Sequence, residues 1–129
     1  MNFLKPYSGY LQSLMRVMVG LAFLQHGTTK FLDLPATKMS GISPMSLSGA
    51  AGIIELVFGS LIVLGLFTRP AAFIASGTMA FAYFLKHAPR DFYPINNGGE
   101  LALVYCFVFL FLAAAGAGPV SLDRILGKD

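Results

Sequence analysis

At 129 residues the chain has the length of a single domain. Hydrophobic residues make up 56% of it and charged residues 12%, with a mean hydropathy of +0.71, which is too apolar for a water-soluble globule of this size and suits a lipid bilayer. The formal net charge is +3 and the isoelectric point near 9.2, yet the 9 Lys and Arg are scattered without a basic run; that argues against nucleic acid as a partner and for charges at helix ends beside headgroups.

Met1 to Tyr10 reads as a short interfacial lead, with Lys5, Tyr7 and Tyr10 suited to the headgroup zone. Leu11 to Phe31 follows as the first spanning helix, about 21 residues or roughly 31 Å at the helical rise. The apolar run is too long for a secretory signal, Arg16 interrupts it, and no small-x-small cleavage site follows His26, so this helix reads as retained. Arg16, Gly20, Phe23, Gly27 and Lys30 recur in steps of four and three and share one face, with His26 beside the stripe. An ionisable group at bilayer depth is costly, so this face is expected to turn inward and meet partners.

Asp33 to Ser46 is a polar, Pro-containing connection. Leu47 to Phe67 is the second span, with Glu55 near its middle, and Gly52 and Gly59 bracket the carboxylate at helical spacing. Small residues there would seat another helix directly against Glu55. Thr68, Arg69 and Pro70 form a tight turn whose proline is placed to open a third, Ala-rich helix running from Pro70 to Lys86. A second polar loop holds Arg90, Asp91, Pro94 and Asn96 to Gly99. Glu100 to Ala117 is the fourth helix, rich in Phe and Leu, and a polar tail follows Gly116 to Pro119. The expected fold is therefore an all-α, integral membrane four-helix bundle in one domain, with both termini on the same side.

Cys106, the single cysteine, lies in an apolar run and offers no CxxC pair. It reads as a packing residue, and a single thiol argues against a membrane thiol-oxidoreductase, whose chemistry needs two. No HxxxH or CxxC spacing marks a metal site. A haem held by His26 and His87 is geometrically conceivable but has no further signature. No nucleophile elbow or phosphate loop is present.

Depth places the polar groups more usefully than any motif. Glu55 lies roughly 12 Å, and His26 roughly 7–8 Å, from the membrane face away from the termini, counted at the helical rise. Lys30, His87 and Glu100 fall near that same face, so His26, Lys30, Glu55, His87 and Glu100 gather at one mouth of the bundle. Arg16 sits in the other half and reaches Glu55 only with its long stem. Two readings stand for each. Glu55 is a proton-exchanging carboxylate or ligand anchor, or else a structural partner for Arg16 or His26. His26 is a proton carrier or a neutral, hydrogen-bonded core imidazole. Lys30 reads first as an interfacial anchor, and His87 as an end-of-helix residue. Glu100, three residues after Asn97, reads as one half of a capping box.

A quinone would suit such a mouth. Its ring wants an aromatic slot, for which Phe23, Phe58, Tyr83, Phe84 and Phe107 are candidates, and its oxygens want donors and protons. Glu55 and His26 are the candidate catalytic residues, and Arg16, Lys30, Glu100 and His87 the candidate ligand-binding ones. Electrons would come from a soluble or membrane redox partner, since the chain shows no carrier of its own. The alternatives are a non-enzymatic membrane scaffold or stress-response partner whose buried charges fix helix packing, and a proton-coupled path for a small solute.

Several segments together carry a family resemblance. They are Arg16 with the run GLAFLQHGTTKF over Gly20 to Phe31, Gly52-x-x-Glu55 leading to GLFTRPAA over Gly65 to Ala72, Asn97-Gly98-Gly99-Glu100 with Tyr105, and Gly116-x-Gly118-x-x-Ser121-Leu122-Asp123. In combination, over nearly the whole chain, these resemble the DoxX family of small four-helix inner-membrane proteins of bacteria and archaea. Arg16, His26, Gly27, Lys30, Glu55, Arg69, Glu100 and Asp123 match its pattern. The resemblance implies a redox role, because relatives include a membrane subunit of thiosulfate:quinone oxidoreductase and proteins linked to quinone or catechol stress. The Lys and Arg counts on the two sides tie, so the positive-inside rule gives no orientation, and the resemblance alone suggests cytoplasmic termini.

Overall fold

The computed structural model describes residues 1–128, and among them every regular element is helical. A 3-10 turn over Asn2–Tyr7 leads into α1, Ser8–Leu32. Helix α2 is Leu47–Leu64 and α3 is Thr68–Ala82, which runs on into a π turn over Tyr83–His87. The short α4, Pro94–Asn97, precedes α5, Glu100–Ala115, and α6, Leu122–Ile125, closes the chain. Helix α1 packs on α2, α2 on α3, and α3 on α5, while α1 and α5 meet mainly through aromatic rings. The first helix starts earlier than expected, at Ser8. The second stops at Leu64 rather than Phe67, because Gly65 takes the left-handed conformation at φ 69° and closes the helix.

Of these helices, Leu47–Leu64 is the one both long and apolar enough to cross a membrane by itself. The 25 residues of α1 include Arg16 and Lys30, and α5, though apolar, has 16. What distinguishes the fold is its inverted surface. Phe73 and Phe107 are 65% and 63% exposed, whereas Arg16, Lys30 and Glu55 are 2%, 3% and 4% exposed. In water this arrangement would strand apolar area and bury charge at high cost; against acyl chains both choices are favourable.

Glycines bring α1 and α2 into backbone contact. A Cβ on Gly27 would lie 2.8 Å from the Gly52 carbonyl oxygen, and one on Gly59 would lie 3.1 Å from Leu24 Cα. Gly52 and Gly59 thus seat α1 against the Glu55 face, as their spacing suggests. Ala71, Ala72 and Ala75 play the corresponding part for α3 on α5, where the Ser76 hydroxyl donates to the Cys106 carbonyl at 2.7 Å. Phe23 fills the space between α1 and α5, edge-on to Tyr105 and Phe109 at centroid distances of 5.9 and 4.9 Å.

The N-terminal end of α1, the α2–α3 turn and the chain after α5 are stitched together at one end of the molecule. Gln12 Nε2 donates to the Gly116 carbonyl at 2.7 Å, and the Ser13 hydroxyl accepts from Val120 N–H at 3.1 Å. Asp123 accepts from the N–H groups of Phe67 at 2.7 Å and Thr68 at 2.9 Å, capping the start of α3 from a distant part of the chain. The longer loop Asp33 to Ser46 and the α3–α5 connection occupy the opposite end.

Candidate functional site

The site lies at that opposite end, where the ends of all four long helices surround a cavity of about 730 Å³. Its walls are mainly apolar, supplied by Phe23, Ile54, Met79, Leu85 and Ala102 among others, and Met39 of the long loop reaches over its rim. A volume of this size is typical of small-molecule pockets.

One ion pair is set into this apolar wall. Lys30 Nζ donates to both carboxylate oxygens of Glu55, at 3.1 Å to Oε1 and 3.0 Å to Oε2. The side chains are 3% and 6% exposed. Lys30 is therefore no interfacial anchor. Its stem runs along Gly52, whose missing side chain leaves room for it: a Cβ there would lie 2.9 Å from Lys30 Cδ. The helical step from Gly52 to Glu55 places the lysine's room and its acid on one face.

His26 and His87 line the same cavity. The His26 ring stands edge-on to Tyr105 at 6.3 Å. His87 Nδ1 pairs with the Asn97 carbonyl at 3.0 Å. Asn97, almost wholly buried, donates from Nδ2 to the Tyr83 hydroxyl and to the Asp91 carbonyl, each at 3.1 Å, and so ties the second loop to the π turn that follows α3.

Two expected members lie elsewhere. Arg16 sits at the stitched end, where its guanidinium donates to the Ala117 carbonyl and, at 3.4 Å, to the Val63 carbonyl. There a cation meets carbonyls left open by the last turn of α2 and the chain beyond α5, which explains its burial without Glu55. Glu100 is exposed at the start of α5 and is absent from the cavity wall. The capping box does not form either. Gly98 turns the chain at φ 73°, so Asn97 Oδ1 accepts from Gly99 N–H at 2.7 Å, and α5 begins after Gly99 with no side-chain cap.

Of the aromatic slot proposed from sequence, Phe23 lines the cavity, while Phe84 and Phe107 face outward. Tyr105, buried at 5% exposure, and Lys86 also line it. A hydroxyl-bearing ring within the Phe- and Leu-rich α5 was the available signal for Tyr105. Lys86 carried none, because helix-end lysines are ordinary. Among the described residues no group of three or more His, Cys, Asp or Glu side chains is placed to hold a metal ion.

A protein-family model described as DoxX matches residues 11–88. An uncharacterized protein of Haemophilus influenzae is 46% identical over 131 residues, covering 96% of each chain. A second uncharacterized protein of that organism is 34% identical over 74 residues, 57% of this chain and 49% of the relative. An uncharacterized membrane protein of Mycobacterium tuberculosis is 28% identical over 130 residues, 88% of this chain and 80% of the relative. No solved structure matches. The family match and the mycobacterial relative point to a membrane protein.

Proposed function

The chain belongs to the DoxX family, and from that premise we infer that it is a four-span protein of the bacterial or archaeal inner membrane, with cytoplasmic termini, whose cavity binds a quinone-class molecule within an oxidoreductase. The observation that carries this reading is the cavity of about 730 Å³ with the Lys30–Glu55 pair set into an apolar wall. The fit is chemical. The ring faces of Phe23 and Tyr105 and the aliphatic walls suit a planar apolar body. Lys30, His26 and Tyr105 carry donors for its oxygens.

A quinone, when bound, supplies two-electron, two-proton redox chemistry. Within the chain, Glu55 and His26 exchange protons between that end of the cavity and water at its mouth. Lys30 holds the carboxylate in place. Electrons come from a soluble or membrane-bound partner. The test combines mass spectrometry of the lipid-soluble molecules carried through purification with quinone titration in detergent. A co-purifying quinone, and weakened binding in Glu55→Gln and His26→Ala, are expected. Both variants binding quinone as the parent does would refute the assignment.

A second reading draws on the completeness of the pair, since Lys30 already satisfies both oxygens of Glu55. On it the protein is a non-enzymatic membrane scaffold. That reading requires that no small molecule co-purify and that Glu55→Gln lower thermal stability alone.

A further inference from the structure

The cavity walls do not balance in charge. Lys30 and Lys86 bring two ammonium groups to them, and Glu55 brings one carboxylate. Lys30 is committed to Glu55 through both oxygens. Lys86, on the π turn, donates to the Ser48 hydroxyl at 3.2 Å across the mouth. No carboxylate lies within salt-bridge distance of it among the described residues, where Lys30–Glu55 is the one salt bridge, and Glu55 acts on it only at longer range. Asp33, Lys38, Arg90, Asp91 and Glu100 lie outside the walls, where solvent screens them. The helix ends around the mouth alternate in direction, α2 and α5 presenting N-termini and α1 and α3 C-termini, so their dipoles largely offset. One positive charge is left facing a mainly apolar chamber.

We propose that the cavity selects acidic members of its ligand class, a hydroxyquinone ionised at its ring hydroxyl rather than a neutral quinone, with Lys86 at the mouth as the residue that reads the charge. The proposal rests on the quinone reading above. A neutral quinone fills the apolar space but brings no anion into contact with the Lys86 ammonium. A ring oxygen carrying negative charge meets it while the rest of the ring occupies the same walls. Because Lys86 is exposed, the attraction is that of a partly solvated pair, and the preference is about fivefold in affinity.

The test compares two isosteric probes by titration calorimetry of the purified, detergent-solubilised chain at low ionic strength. One is dimethyl naphthoquinone. The other is its hydroxy-methyl analogue, in which a hydroxyl that ionises at neutral pH replaces one ring methyl. The hydroxy compound should bind the parent about fivefold more tightly, and Lys86→Gln should bring the ratio to near one. Reading the change in ratio between parent and variant cancels the different partition of the probes into detergent. Circular dichroism of Lys86→Gln, expected to match the parent, verifies the fold. Equal affinities in the parent, or a preference that survives in Lys86→Gln, would overturn the proposal and leave the quinone reading standing. Binding of neither probe would overturn both.

Discussion

Replacing one member of the Lys30–Glu55 pair should cost far more than replacing both. The ammonium lies 3.0 Å from Oε2 and the two side chains are 3% and 6% exposed. At an effective dielectric near 20, two unit charges at that separation attract by about 5–6 kcal/mol. Glu55→Leu leaves a buried ammonium, and Lys30→Met leaves a buried carboxylate. Each single change should destabilise by about 3–5 kcal/mol, whereas the double variant, with two apolar side chains filling the same space, should fall within about 1 kcal/mol of the parent. For a chain of this size the single variants should melt roughly 10–20 °C lower. Circular dichroism melts of all four proteins in one detergent supply the double-mutant cycle. Single variants that melt with the parent, or a double variant as unstable as the two losses summed, would show that the charges do not depend on each other inside the wall.

Two further outcomes follow from the packing. Gly27→Ala puts a methyl 2.8 Å from the Gly52 carbonyl oxygen and 2.9 Å from Leu56 N, so α1 and α2 must separate, at a cost of about 1–3 kcal/mol. Gly77→Ala, with nothing within 4 Å of the added carbon, is its control and should be neutral or stabilising by up to about 1 kcal/mol in the same melts. Asp123→Ala removes the acceptor of the Phe67 and Thr68 N–H groups and should cost about 1–3 kcal/mol. Hydrogen exchange should rise at those two amides first, and unchanged protection there would refute the capping role.

The mouth of the site was partly legible in the chain. Helical spacing alone put Arg16, Gly20, Phe23, Gly27 and Lys30 on one face, and all five are buried. Counting depth along each helix put His26, Lys30, Glu55 and His87 at a common end, and all four line the cavity. Depth failed for Glu100, since a residue at a helix start can face any direction, and the turn at Gly98 sets it outward. The expectation of four spans was less legible. One helix passes as a span by itself; the inward face of α1 carries Arg16 and Lys30, and α3 and α5 have 15 and 16 residues.

Composition and periodicity by themselves determined that this protein is helical, that it belongs with lipid, and which residues the first two long helices turn inward. Those properties depend on local spacing and on the transfer energy of single side chains, both written in the linear order of residues. Which buried charge meets which was decided in three dimensions. The room beside Gly52 lets Lys30 reach Glu55, and the carbonyls at the far end hold Arg16 away from it. Pairing depends on the approach of helices far apart in sequence, and a buried ion takes whichever partner that approach brings within hydrogen-bonding distance.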